Sequence, residues 1–160
     1  MDATKLLTQD HEKVRKLLTE LAETSERATK SRSELLQKIA LELKIHTTIE
    51  EEIFYPAFRQ AREDSENDKI YFEALEEHRA AGDLVLPDLE KTPVDSEKFS
   101  GRAKVLKELV EHHADEEEEE MFKRARKIFP EDELEALGEQ LEARKKELMQ
   151  ELAPRRQRAG

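Results

Sequence analysis

Two pairs of histidines in this chain repeat at one interval, and that interval constrains the fold more than any other feature. His11 to His78 and His46 to His113 are both 67 positions apart (78 − 11 and 113 − 46), and Glu50 maps by the same offset onto Glu117. Leu18 onto Val85, Phe54 onto Met121 and Tyr55 onto Phe122 keep their character across the offset. A chain that repeats itself in this way is built from two equivalent units. Apolar residues recur at helical spacing, as in Leu7, Val14, Leu18 and Leu21, so each unit reads as a helical hairpin.

The element boundaries follow from caps and breakers. A first helix is predicted over about Ala3 to Thr24. Ser31 with Glu34 suggests a capping box for a second helix running through Ile39, Leu43, Ile49 and Ile53 to near Arg62. "EDSEND" reads as a loop, and a third helix is predicted from about Lys69 to Glu90, bent where Pro87 lacks an amide donor; Pro56 likewise reads as a kink or an end. "KTPVDS" is a turn in which Asp95 or Ser96 caps a fourth helix reaching about Lys127. Pro130 opens a fifth helix whose stripe is Leu134, Leu137, Leu141 and Leu148. The expected fold is all-α, an up-and-down four-helix bundle over residues 1–128 with an additional C-terminal helix and short basic tail over 129–160.

Composition limits the function classes. The chain has 160 residues, of which 42% are charged, with only four glycines and five prolines, the profile of one helical domain with solvated outer faces. A net charge of −11, from 39 acidic and 28 basic residues, argues against nucleic acid or an anionic membrane as the main partner, and the tail "PRRQRAG" is too short to reverse it. There are no cysteines, which removes disulfides, thiolate metal sites and cysteine catalysis. With no leader and no long apolar span in view, a cytoplasmic setting is the expectation.

The histidines themselves point to a metal centre. In an antiparallel hairpin, residues equidistant from the turn stand level; the midpoints of His11/His46 and His78/His113 fall in "ERATKSRS" and "KTPVDS". His46 with Glu50, and His113 with Glu117, are four apart and present an imidazole and a carboxylate to one spot. Isolated carboxylates in a core cost several kcal/mol each, and two of them repel, whereas a pair of cations reverses the sign. Nitrogen and oxygen donors in a four-helix bundle favour two iron or manganese ions, with zinc an alternative. A packed, hydrogen-bonded histidine is the competing interpretation of any one of these positions. His112 has no repeat partner and is expected at the surface or behind the ligands, and "DEEEEE" is a solvated face apart from Glu117.

"LLTQDHEKVRKLL", "HTTIEEEIFYP" and "EHHADEEEEEMF" resemble the motifs of the hemerythrin HHE cation-binding domain family over roughly residues 4 to 127. The resemblance implies a non-heme, oxo- or hydroxo-bridged di-iron centre, with His11, His46, His78 and His113 as terminal ligands and Glu50 and Glu117 as bridges. Hemerythrins carry a further histidine at the position of Ala74, and its absence disfavours reversible oxygen carriage. Tyr55 is a candidate oxygen ligand in its place; otherwise it is an amphipathic aromatic whose hydroxyl reaches the bundle end. Glu77 and Glu51 are poorer candidates, since neighbours on a helix diverge by about 100°. The expected function is a di-iron protein reacting with dioxygen, peroxide or nitric oxide, with peroxide decomposition as the enzymatic form. The alternatives are an iron-binding or iron-sensing module, an oxygen carrier without catalysis, or a structural bundle.

Overall fold

The computed structural model describes residues 1–153, and the basic tail 154–160 lies outside them. The fold is an all-α bundle. Helix α1 is Ala3–Ala22, started by the Asp2 side chain accepting from the Lys5 amide. Helix α2 runs from Thr29–Ile49 through a π-helical turn, Glu50–Phe54, into Tyr55–Ala61. Helix α3 joins Ser65–His78, a π segment Arg79–Val85 and Leu86–Glu90. Helix α4 joins Glu97–Glu116, a π turn Glu117–Met121 and Phe122–Ile128, and α5 is Glu131–Leu152. Among the described residues no helix is long and apolar enough to cross a membrane.

Several local expectations need correction. Ser31 and Glu34 form no capping box: α2 begins at Thr29, and its N-cap Ala28 makes no side-chain cap bond. The segment is held by Arg32 instead. This buried guanidinium donates to the Thr24 hydroxyl and carbonyl, the Val94 carbonyl and the Ser100 hydroxyl, and lies over the Phe99 ring at 4.9 Å. It thereby ties the α1–α2 turn to the α3–α4 turn. "EDSEND" is mostly helix, because Asp64 caps the Asn67 amide at 2.8 Å and α3 begins at Ser65 rather than Lys69. The buried Asn67 amide donates to the Phe58 and Arg62 carbonyls and closes the connection. Of the two caps proposed for α4, Ser96 accepts from the Phe99 amide.

Neither Pro56 nor Pro87 ends its helix. Each stands just after a π segment, whose wider turn accommodates the ring and the missing donor. The corresponding π turn in α4 has Lys123 at the equivalent place, so proline is not its cause.

α1 packs against α2, α4 and α5, while α5 also crosses α2 and its π turn. The approach of α5 to the N-terminus leaves no room for a side chain at Gly138, where a Cβ would stand 2.1 Å from the Met1 carbonyl oxygen. Leu134, Leu141 and Leu148 are the buried stripe of α5, with Leu137 partly buried. The core falls into two apolar clusters. One holds Leu7, Ile49, Phe54, Phe58, Phe122 and Leu141, and the other Val14, Leu18, Ile39, Leu89, Phe99 and Leu106. Each fully buried large side chain contributes about 1.5–3 kcal/mol. Between the clusters lies a polar layer of buried His and Glu residues.

Candidate metal centre

The two hairpins place their histidines level in pairs. The His11 and His46 ring centroids are 4.9 Å apart, and those of His78 and His113 are 4.6 Å apart. All four rings are buried. Glu50 and Glu117, also buried, join the pairs. Glu50 Oε1 lies 3.0 Å from His46 Nε2 on its own helix and 3.1 Å from His78 Nε2 on α3. Glu117 Oε1 lies 3.2 Å from His113 Nε2 on its own helix and 3.0 Å from His11 Nε2 on α1. Each carboxylate therefore touches one histidine of each hairpin.

Two buried groups of potential ligand atoms result: His11, His46, Glu50 and Glu117 in one, and His78, His113, Glu50 and Glu117 in the other; a third group, Glu77, His112 and Glu116, is at the surface. The two buried groups share both carboxylates, which is the geometry of two adjacent cation positions with common oxygen donors. His112 lies outside both buried groups, with its side chain 64% exposed beside Glu77 and Glu116.

Tyr55 sits at the centre and not at the bundle end. Its hydroxyl donates to Glu117 Oε2 at 2.5 Å and lies 3.0 Å from His78 Nε2 and 3.4 Å from His113 Nε2. On a regular helix, Tyr55 would point about 140° away from Glu50. The π turn inserts one residue and swings it back by about 100°, and its amide bonds to the Glu50 carbonyl accordingly. Phe122, the repeat equivalent of Tyr55, is swung in by the π turn of α4 and stacks on His11 at 5.8 Å. Ala74 is buried and brings no donor atom to the layer.

A second set of contacts escaped the sequence reading, in which Glu77 and Glu51 figured only as poor ligand candidates and Asp10 and Glu118 not at all. Each imidazole turns Nε2 inward and donates from Nδ1 to an outer carboxylate: His46 to Asp10 at 3.1 Å, His113 to Glu77 at 2.8 Å, His11 to Glu118 at 2.9 Å and His78 to Glu51 at 2.9 Å. These carboxylates obey the 67-residue offset too, Asp10 onto Glu77 and Glu51 onto Glu118. Such bonds fix the ring orientation and leave the inner nitrogen with a free lone pair. The signal was present as an acid immediately before the first and third histidines and immediately after each core glutamate. Lys145 of α5 pairs with Asp10 and so braces His46 from behind.

The residues present fit a pair of cations. Among the described residues, buried Glu50 Oε2 has no hydrogen-bond partner, and His46 Nε2, although 3.0 Å from Glu50 Oε1, makes no well-aligned hydrogen bond. With both Nδ1 atoms donating outward, the Nε2 atoms of His78 and His113 face each other at 3.0 Å, an approach that needs either a proton on one of them or a metal cation bound to both. The electrostatics agree. Burial pulls the His46 imidazole down, but Glu50 and Asp10 outweigh it and push it up to about 10. Burial opposes ionisation of Glu50, yet His46, then His113 and His78, hold that carboxyl well below its ordinary range. Burial, with Glu117 and Glu50, pushes the Tyr55 phenol well above 10, so a cation has to displace its proton. The layer demands positive charge, supplied by protons or by metal.

A cavity of about 440 Å³ opens beside this layer and touches all four histidines.

The hemerythrin HHE cation-binding domain family model matches residues 2–125. The crystal structure of a hemerythrin HHE cation binding domain-containing protein, the Rv2633c homolog from Mycobacterium kansasii, is similar with a TM-score of 0.80. That similarity has 28% identity and covers 96% of this chain and 94% of that one. A DNA nickase from Nostoc sp. is 25% identical over 160 residues, which is all of this chain but 44% of that protein. The chain thus spans less than half the length of that relative.

Proposed function

Because this chain belongs to the hemerythrin HHE cation-binding domain family, and because its buried layer offers two sets of nitrogen and oxygen donors with shared carboxylates, we propose that it is a non-heme di-iron protein whose centre reacts with peroxide. The observation that carries the reading is the Tyr55 hydroxyl within 3.0 Å of His78 Nε2, where the chain has Ala74 and no fifth nitrogen. On this reading His11, His46, His78 and His113 are terminal ligands, Glu50 and Glu117 bridge, and Tyr55 is an additional ligand on the His78 side. A donor set rich in anionic oxygen stabilises the higher oxidation state, which favours redox turnover over storage of dioxygen; zinc has no redox couple for that chemistry, and the four imidazoles suit iron better than manganese.

When bound, the irons would supply the one-electron redox steps. The protein's own groups do the rest. Asp10, Glu77, Glu118 and Glu51 hold protons on the outer Nδ1 atoms and keep the inner Nε2 atoms aimed at the centre. Glu117 Oε2 accepts the Tyr55 hydroxyl and holds the phenol oxygen toward the centre. Phe54, Phe122 and Tyr55 close one side of the layer to water, so reactant reaches it from the cavity side. Decomposition of hydrogen peroxide balances as two molecules giving two waters and one dioxygen.

Metal analysis combined with optical spectra before and after anaerobic reduction tests this reading. The expected result is two irons per chain, with a visible charge-transfer spectrum that returns when the reduced protein meets hydrogen peroxide. A reversible oxygenated form without peroxide consumption would restore oxygen carriage, and an unreactive centre would favour an iron-binding or iron-sensing module.

A further inference from the structure

The two hairpins are equivalent in sequence offset and in the bonds around their histidines, so a place where they differ is informative. Arg15 of α1 reaches across to α4 and pairs with Asp115 at 2.7 Å and with Glu118 at 2.9 Å. Glu118 is the carboxylate behind His11, so Arg15 covers the gap between α1 and α4 directly over that histidine. Under the 67-residue offset Arg15 corresponds to Gly82, Asp115 to Thr48 and Glu118 to Glu51. Gly82 has no side chain to reach across with. Glu51, which among the described residues pairs with His78 alone, has a side chain 46% exposed, against 28% for Glu118.

The cavity lies at that uncovered gap. Thr48, Glu51 and Gly82 are on its wall. A Cβ added at Gly82 would meet nothing within 4 Å, so the missing side chain leaves open space rather than packing. Inside, Val14, Leu43, Leu86 and Val110 form an apolar wall next to the histidines, while Lys44 and Arg79 stand at the exposed rim.

The size selects the reactant. Hydrogen peroxide is about the size of two waters and needs on the order of 60 Å³ at the liquid volume of water. The cavity, at about 440 Å³, falls in the range that holds small organic ligands, and its inner wall is aliphatic. We propose that this cavity binds an organic hydroperoxide with a compact apolar group, admitted between α2 and α3 through the gap that Gly82 leaves open.

The proposal rests on the peroxide reading above and adds the substrate class and the route. The hydroperoxide head meets the histidine layer and the organic group lies on Val14, Leu43, Leu86 and Val110. The O–O bond breaks; the hydroperoxide takes up two electrons and two protons and leaves as an alcohol and one water. A reduced pair of irons held by the histidine layer would supply the two electrons, and two molecules of a thiol reductant would return them, becoming a disulfide and releasing two protons.

The test uses Gly82→Arg, which copies Arg15 into the second hairpin. Reduced wild-type protein is mixed anaerobically with cumene hydroperoxide or with hydrogen peroxide, and the appearance of the oxidised spectrum is timed. Cumene hydroperoxide is expected to oxidise the wild type, and the variant's ratio of cumene hydroperoxide rate to hydrogen peroxide rate to fall about tenfold. Independently of turnover, saturation transfer from the protein as purified to the product alcohol, 2-phenyl-2-propanol, is expected in the wild type and strongly reduced in the variant. No transfer to the alcohol in the wild type, or an unchanged rate ratio in a variant of wild-type helicity, overturns the proposal. A wild type inert to hydrogen peroxide refutes the peroxide reading itself, and the alcohol signal then decides the cavity separately.

Discussion

Tyr55 and Phe122 occupy equivalent positions in the two hairpins, each stacked on the histidine of the opposite hairpin, and only Tyr55 carries a hydroxyl. Tyr55 lies 5.2 Å from the His78 ring and Phe122 lies 5.8 Å from the His11 ring. An otherwise two-fold donor arrangement is thereby made asymmetric at one oxygen atom.

Tyr55→Phe tests what that oxygen does. If the phenolate ligates iron, the variant should lose the visible phenolate-to-iron band, and the second iron should be held more weakly. The metal-free variant should lose about 1–3 kcal/mol, because Glu117 Oε2 loses its buried donor. Spectra and metal content read the first effect and thermal unfolding the second. An unchanged visible spectrum would remove Tyr55 from the ligand set.

The outer carboxylates should matter nearly as much as the inner donors. Asp10→Asn and Glu77→Gln weaken the bonds that orient His46 and His113. Each is expected to lower metal affinity by about 10–100-fold. His112→Ala, on an exposed side chain outside the buried groups, should leave affinity close to wild type. Competition with a chelator measures all three, and equal loss from His112→Ala would contradict the inner and outer assignment.

Metal removal should destabilise the fold. A ligand present at about 1,000 times its dissociation constant adds about 4 kcal/mol. For a chain of this size, 1 kcal/mol moves the unfolding midpoint by about 2–4 °C. Chelated protein should therefore melt well below the loaded form; an unchanged midpoint would favour histidines that are merely packed.

The metal-free protein should lose stability as pH rises above neutrality. His46 titrates at about 10 in the fold against an ordinary 6.5, because Glu50 and Asp10 outweigh burial. A raised value means the folded state holds the proton more tightly. Its stabilisation is complete below 6.5 and is lost progressively as pH climbs to about 10. Loaded protein should behave oppositely in metal affinity, which rises with pH because ligation requires the inner nitrogen without its proton. Unfolding of both forms from pH 6.5 to 10 checks the two slopes.

Gly138→Ala should cost roughly 1–3 kcal/mol by forcing α5 away from the N-terminus, since the added Cβ would overlap the Met1 carbonyl oxygen. Denaturant unfolding reads it directly, and a neutral result would show that Met1 shifts freely.

The sequence by itself determined what depends on local period and on distance from a turn. Five helices follow from apolar spacing and the few breakers, and the level pairing of His11 with His46 and His78 with His113 follows from hairpin symmetry. The tertiary structure decided what depends on departures from that regularity. The direction of Tyr55 is set by a π turn; a regular helix would turn it about 140° away from Glu50. Glu77, Glu118 and Glu51 reach histidines on neighbouring helices, and no spacing within one helix encodes such a contact. The helix after "ARED" starts at Ser65 because Asp64 caps it, and the Asn67 side chain ties that start to carbonyls across the turn. The opening beside Gly82 exists because one hairpin lacks the arginine that seals the other, a difference visible as two letters but meaningful only once Glu51 and Glu118 are seen on facing helices. Period and symmetry are properties of a chain; the exceptions that make a reactive site are properties of the packing between chain segments.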